Sequence, residues 1–100
     1  MARAVRLIEA GFLNEASVAE LADRLGMGSR HLLRLFVRHT GATPTEVAAT
    51  RRVQKAKRLL NETQMPMSEI AFAAGFRSVR RFNDAFLATY GRSPSSFRAI

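Results

Sequence analysis

Arg30 and Arg34, four residues apart, and Arg80 in the second half of the chain invite attention for what a guanidinium can do. Its fork of N–H donors matches a pair of acceptors. An arginine in the major groove of duplex DNA can therefore donate two hydrogen bonds to guanine O6 and N7, and each such pair contributes about 1–3 kcal/mol of discrimination. Three residues near Arg80 have groove chemistry of their own: Asn83 can pair with adenine through two hydrogen bonds, Val79 can meet a thymine methyl, and Asp84 can accept from cytosine N4. Asp84 admits a second role, because a carboxylate beside phosphates is repelled: it can orient Arg80 or Arg81 through a salt bridge. Ser78, Arg38, Arg98 and the backbone amides at helix starts are candidates for phosphate contacts, which position a protein without reading sequence. Ser29, His31, Arg77 and Arg81, next to the readers, complete that set.

Arginines on a helix surface are commonly no more than solvated charges, so the elements that carry them decide their meaning. Apolar residues recur at spacings of three and four, which predicts helices throughout and no strand. A first segment, about Ala2 to Phe12, places Val5, Ile8 and Phe12 on one face. Ser17 opens the next helix with a capping box to Glu20. Val18, Leu21, Ala22 and Leu25 form its stripe, and Gly26 ends it. A third helix, about Ser29 to Thr40, turns Leu32, Leu35 and Phe36 inward and Arg30, Leu33, Arg34 and Val37 outward, with His31 and Arg38 on a flank and His39 toward the core side. Thr43 and Pro44 begin a long fourth helix to about Asn61, roughly 27 Å at 1.5 Å per residue. Its basic residues Arg51, Arg52, Lys55, Lys57 and Arg58 are either a solvated face or a direct contact to DNA.

After the Met65-Pro66 break, Met67, Ile70, Ala71 and Ala74 make the face of a fifth helix that Gly75 terminates. Phe76 packs into the turn, and Ser78 caps a sixth helix ending near Tyr90, with Phe82, Ala85, Phe86 and Thr89 inward, Arg77, Arg80, Asn83, Asp84 and Leu87 outward and Val79 and Arg81 on the flanks. Gly91 closes it, and Ser93-Pro94 starts a last short one. Helix, glycine turn, helix thus occurs twice, around Gly26 and Gly75. The fold expected is all-α, about seven helices, with a helix-turn-helix unit at 1–42, a linker helix at 43–62 and a second unit at 63–100. A helix-turn-helix offers the start of its second helix to base edges, which is where Arg30, Arg34 and Arg80 fall.

Composition agrees. The chain has 100 residues, 16 Lys+Arg against 8 Asp+Glu, and a formal charge of +8, which points to a polyanionic partner. Six basic and five acidic side chains lie in residues 1–50, against ten and three in 51–100, so the second half is expected to carry more of the contact. This length leaves no room for a second catalytic or ligand-sensing domain. Cysteine is absent, so disulfides and thiolate chemistry are excluded. His31 and His39 lack a nearby carboxylate pair for a metal, Ser95 and Ser96 lack a base partner, and the six glycines show no phosphate-cradling pattern. No cofactor is expected. No apolar run approaches the ~20 residues that cross a bilayer, and no signal-peptide pattern opens the chain, so a cytoplasmic protein without membrane attachment is expected.

Over essentially its whole length the sequence resembles the AraC/XylS family of bacterial transcription regulators. The resemblance is carried by Leu21-Ala22, Leu32, Arg34, Phe36, Pro44, Arg52, Ala56, Leu59 and Leu60, and most densely by Ile70-Ala71, Gly75-Phe76, Ser78, Phe82, Phe86, Gly91, Ser93-Pro94 and Phe97-Arg98. It implies two recognition helices in successive major grooves, with Arg30, Leu33 and Arg34, then Val79, Arg80, Asn83 and Asp84, at base-reading positions. Double-stranded DNA is then the partner, with RNA polymerase a second one for a regulator, and no small-molecule effector site falls within this chain. Leu33 and Asp84 depart from the longer polar or basic residues common there, and Val47 replaces a frequent aromatic. The run Phe72 to Asp84 is further similar to the AraC-type segment of Ada/AlkA-like alkylation-repair regulators, which implies an excised middle piece of a repair fusion. A transcription-regulator module, a DNA-targeting segment of such a fusion, and a basic helical bundle that binds protein or RNA are the three functions to separate.

Overall fold

Short glycine turns punctuate a helical chain in the computed structural model, which describes residues 1–98. The helices are α1 (Ala2–Glu9), α2 (Phe12–Glu15), α3 (Val18–Arg24), α4 (Ser29–Thr40), α5 (Pro44–Glu62), α6 (Met67–Ala73), α7 (Val79–Tyr90) and α8 (Pro94–Arg98). The described residues contain no strand, and no helix among them is long and apolar enough to cross a membrane. The count exceeds the expected seven because the first segment breaks in two. Gly11 takes φ +93 between α1 and α2, so the Val5, Ile8, Phe12 stripe is divided over two short helices.

Contacts divide the chain into one unit of Met1–Ala49 and another from Thr50 onward, a boundary inside α5. In the first unit Ala4, Ile8, Leu21, Ala22, Leu32, Phe36 and Ala48 form the core. Entry to α3 is set by the expected capping box: the Glu20 amide donates to Ser17 Oγ at 3.1 Å while the Ser17 amide donates to Glu20 Oε1 at 3.2 Å. Exit is set by Gly26 at φ +73, where the Met27 amide donates to the Ala22 carbonyl and the Gly26 amide to that of Asp23. Those two bonds are a Schellman closure, which satisfies carbonyls that the helix itself leaves open.

The second unit is built on Val53, Ala56, Leu60, Ile70, Ala71, Ala74, Phe76, Phe82 and Phe86. Its core is more aromatic than that of the first. Phe86 meets Phe97 edge-on at 5.0 Å and Tyr90 at 4.7 Å, while Phe82 bridges Phe76 and Phe86. Lys57 sits 5.0 Å from the Tyr90 ring and Arg92 4.8 Å from that of Phe97, so cations cover the aromatic edge.

The repeat of helix, turn and helix is closer than the two glycines alone suggest. The Phe76 amide donates to the Ala71 carbonyl and the Gly75 amide to that of Phe72, the same closure as at Gly26, and the buried pairs Leu21-Ala22 and Ile70-Ala71 precede it at equal distance. Beyond the turn the offset grows by one residue. Leu32 and Phe36 then correspond to Phe82 and Phe86, all fully buried, and Pro44 to Pro94, both buried. The extra residue lies in the second turn, which runs Gly75-Phe76-Arg77-Ser78 where the first runs Gly26-Met27-Gly28. Within each unit, then, the second helix is held by the same pair of buried side chains one turn apart.

Candidate nucleic-acid interface

With Leu32 and Phe36 pinned inward, the wheel of α4 leaves Arg30, His31, Leu33, Arg34, Val37 and Arg38 exposed. No acidic residue lies on this helix, so its outward face is cationic. Ser29, its first residue, is exposed as well. Gly28 occupies the cap position without a side-chain hydrogen bond, which leaves the first amides of α4 open to an external acceptor. His39 differs from expectation. It is exposed, and its Nδ1 lies 2.9 Å from the Leu35 carbonyl, so the ring folds back along its own helix instead of entering the core.

On α7 the exposed set is Arg80, Arg81, Asn83, Asp84 and Leu87, with Arg77 exposed in the turn before it. Ser78 is half-buried and caps the helix, its Oγ accepting from the Arg81 amide at 3.1 Å. By the fifty-residue correspondence Arg80 matches Arg30, Asn83 matches Leu33, Asp84 matches Arg34 and Leu87 matches Val37. Asp84 forms no ion pair with Arg80 or Arg81 among the described residues, so the orienting salt bridge is not made.

In the second unit two expectations need correction, and one residue is more enclosed than its neighbours. Val79, expected on a flank, is half-buried and packs against the aromatic core, so it is less exposed than Arg80 and Arg81 beside it. Thr89 is exposed and not inward, its hydroxyl donating to the Ala85 carbonyl at 2.9 Å. Arg98, expected at a phosphate, is engaged inside its own unit: the guanidinium donates to the carbonyls of Met65, of Thr63 at 3.1 Å and of Leu59 at 3.5 Å. The Leu59 carbonyl already accepts from Thr63, while those of Thr63 and Met65 lie just beyond the end of α5, so Arg98 closes that end and ties α8 to it.

Residue spacing missed other features. Arg52, from the basic run, is half-buried; burial first and then the charge of Arg77 lower its guanidinium pKa. The Thr63 hydroxyl donates to the Leu59 carbonyl at 2.6 Å and Thr40 to that of Phe36 at 2.7 Å. A threonine in the last turn of a helix was the available signal. Leu87, 53% accessible, and Val37, 42%, leave apolar groups on both outward faces, where the spacing puts them. Among the described residues no three of His, Cys, Asp and Glu gather to hold a metal ion. What the two faces can do is donate: guanidinium and amide N–H groups project from both, toward anions or base edges.

A helix-turn-helix domain family matches residues 21–100. The chain is 40% identical over 99 residues, 99% of its length, to a protein of Mycobacterium tuberculosis named as a probable bifunctional transcriptional activator and DNA repair enzyme AlkA, of which it spans 20%. Among solved structures it resembles the DNA-binding domain of AdpA, a global transcriptional factor, in complex with a target DNA, with a TM-score of 0.91, 33% identity and coverage of 98% of this chain and 88% of that one. A Chromobacterium violaceum transcriptional regulator described as containing an AraC-type DNA-binding domain matches with a TM-score of 0.85 and 30% identity over 98% of this chain and 88% of that one. With the twofold helix-turn-helix repeat already evident in its own geometry, the chain belongs to the AraC-type helix-turn-helix family, the DNA-binding domains of transcription regulators.

Proposed function

We propose that this chain binds double-stranded DNA in a sequence-specific way as the DNA-binding module of a bacterial transcription regulator, working in the cytoplasm and catalysing nothing itself. The observation that carries the reading is the recurrence, at equivalent positions of two helix-turn-helix repeats, of an exposed arginine near the start of the second helix: Arg30 on α4 and Arg80 on α7. Each helix enters a major groove, successive ones on the duplex as the family resemblance implies, and reads base edges with Arg30, Leu33 and Arg34 or with Arg80, Asn83 and Asp84. Ser29, His31, Arg38, Arg77, Ser78 and Arg81 are the groups assigned to the phosphates that flank those edges. Regulation then requires a contact to RNA polymerase, made by this chain or by a larger protein that contains it.

Selection from a randomised duplex library tests this. The expected result is a motif with guanines in two separated blocks, one lost on Arg30→Ala and the other on Arg80→Ala. Recovery of RNA or of no motif would favour a basic helical bundle with another partner.

The 40% identity to the mycobacterial AlkA-named protein favours a second reading, a DNA-targeting segment within an alkylation-repair fusion. The binding chemistry is the same and the output differs. The coding sequence on either side of this segment decides it: a methyl-accepting or glycosylase domain in frame supports the fusion, and a sensor domain supports the regulator.

A further inference from the structure

The outward strips of α4 and α7 occupy equivalent positions yet differ in chemistry. Arg30 and Arg80 coincide, but Leu33 stands where the second repeat has Asn83, and Arg34 where it has Asp84. Leu33 and Val37 are each 42% accessible. One exposed leucine is ordinary on a protein surface. Here the two apolar side chains are four residues apart, and so stack one turn on the next, and they lie among Arg30, Arg34 and Arg38 on a helix whose inward side already holds Leu32 and Phe36 at 0%. They form a short apolar strip on a cationic face.

In the major groove the apolar group that projects from a base edge is the C5-methyl of thymine, where cytosine carries only a hydrogen. We propose that Leu33, backed by Val37, selects thymine in the part of the target read by α4 by covering its 5-methyl group beside a guanine held by Arg30 or Arg34. The proposal rests on α4 being a base-reading helix. Three residues of helix advance about 4.5 Å, close to the ~3.4 Å between stacked base pairs, so Arg30 and Leu33 reach neighbouring pairs. On α7 the amide of Asn83 and the carboxylate of Asp84 take the places of Leu33 and Arg34, so the position of Leu33 is apolar in the α4 block and polar in the other.

The test uses the whole chain and the duplex recovered by library selection, with each thymine in turn replaced by uracil, which pairs identically and lacks only the methyl. Losing burial of one methyl weakens binding about fourfold. That loss is expected for the unaltered protein at one or two thymines of the block that Arg30→Ala abolishes. Leu33→Ala and Leu33→Asn should bind the thymine and uracil duplexes alike while unfolding at the same temperature as the parent. Tight binding with every uracil tolerated, a motif whose α4 block lacks thymine, or a uracil penalty that persists in Leu33→Ala each overturns the proposal while leaving DNA reading intact. No enriched duplex at all sinks the DNA reading, and this inference with it.

Discussion

Arg80 and Arg98 carry the same charge and have opposite surroundings, one exposed on α7 and the other turned onto three backbone carbonyls. Hydrogen bonds to a charged donor contribute about 1.5–3 kcal/mol, and removing the Arg98 donor takes that partner from the Met65 and Thr63 carbonyls. Arg98→Ala should therefore lower stability by about 1.5–3 kcal/mol in urea unfolding, while the ranking of duplexes bound by the folded protein stays as it was. Arg80→Ala should do the reverse, with unchanged unfolding and about 1–3 kcal/mol less discrimination at one base pair. An Arg80→Ala protein that still ranks duplexes as the parent does would remove Arg80 from the readers. His39 and Thr89 make the same point more quietly: each returns a hydrogen bond to its own helix and stays exposed where a wheel diagram turns it inward.

Elements are held at their ends by reciprocal caps. At the start of α5 the Glu46 amide donates to Thr43 Oγ1 at 3.1 Å and the Thr43 amide to Glu46 Oε1 at 2.8 Å, a second capping box beside the one at Ser17. The backbone bond from Thr43, then the side-chain bond, lower the Glu46 pKa from its ordinary 4.5. A carboxylate depressed in the folded state stabilises above its unfolded pKa, and the gain is lost as pH falls through the lower, folded value. The stability difference between the parent and Glu46→Gln should thus be full at neutral pH and vanish in acid, which unfolding curves over an acid series would show. A difference that persists in strong acid would contradict this assignment. Thr43→Ala, which removes the other half of the box, should cost about 1 kcal/mol near neutral pH.

At the scale of the whole molecule, charge governs affinity. The excess of +8 and the cationic faces of α4 and α7 predict that log K for duplex falls steeply with log salt, at roughly −0.9 per phosphate neutralised. Arg38→Ala, Arg77→Ala and Arg81→Ala should each flatten that slope by about one, and Arg98→Ala should leave it unchanged. A salt-independent affinity would exclude the polyanion as partner. Much of this architecture was legible in the chain because its determinants are local. A serine three residues before a glutamate closes a box, a glycine takes the left-handed turn at Gly26 or Gly75, and apolar spacing sets which side of α4 is buried; each depends on neighbours within a turn or two. Tertiary structure decided the rest. Arg98 finds its carbonyl partners 33 to 39 residues away, Val79 packs on a core to which α5 and α6 contribute, and Arg52 of the basic run is half-buried by packing. Helical periodicity assigns a side chain to a direction, and only the folded chain determines what stands there.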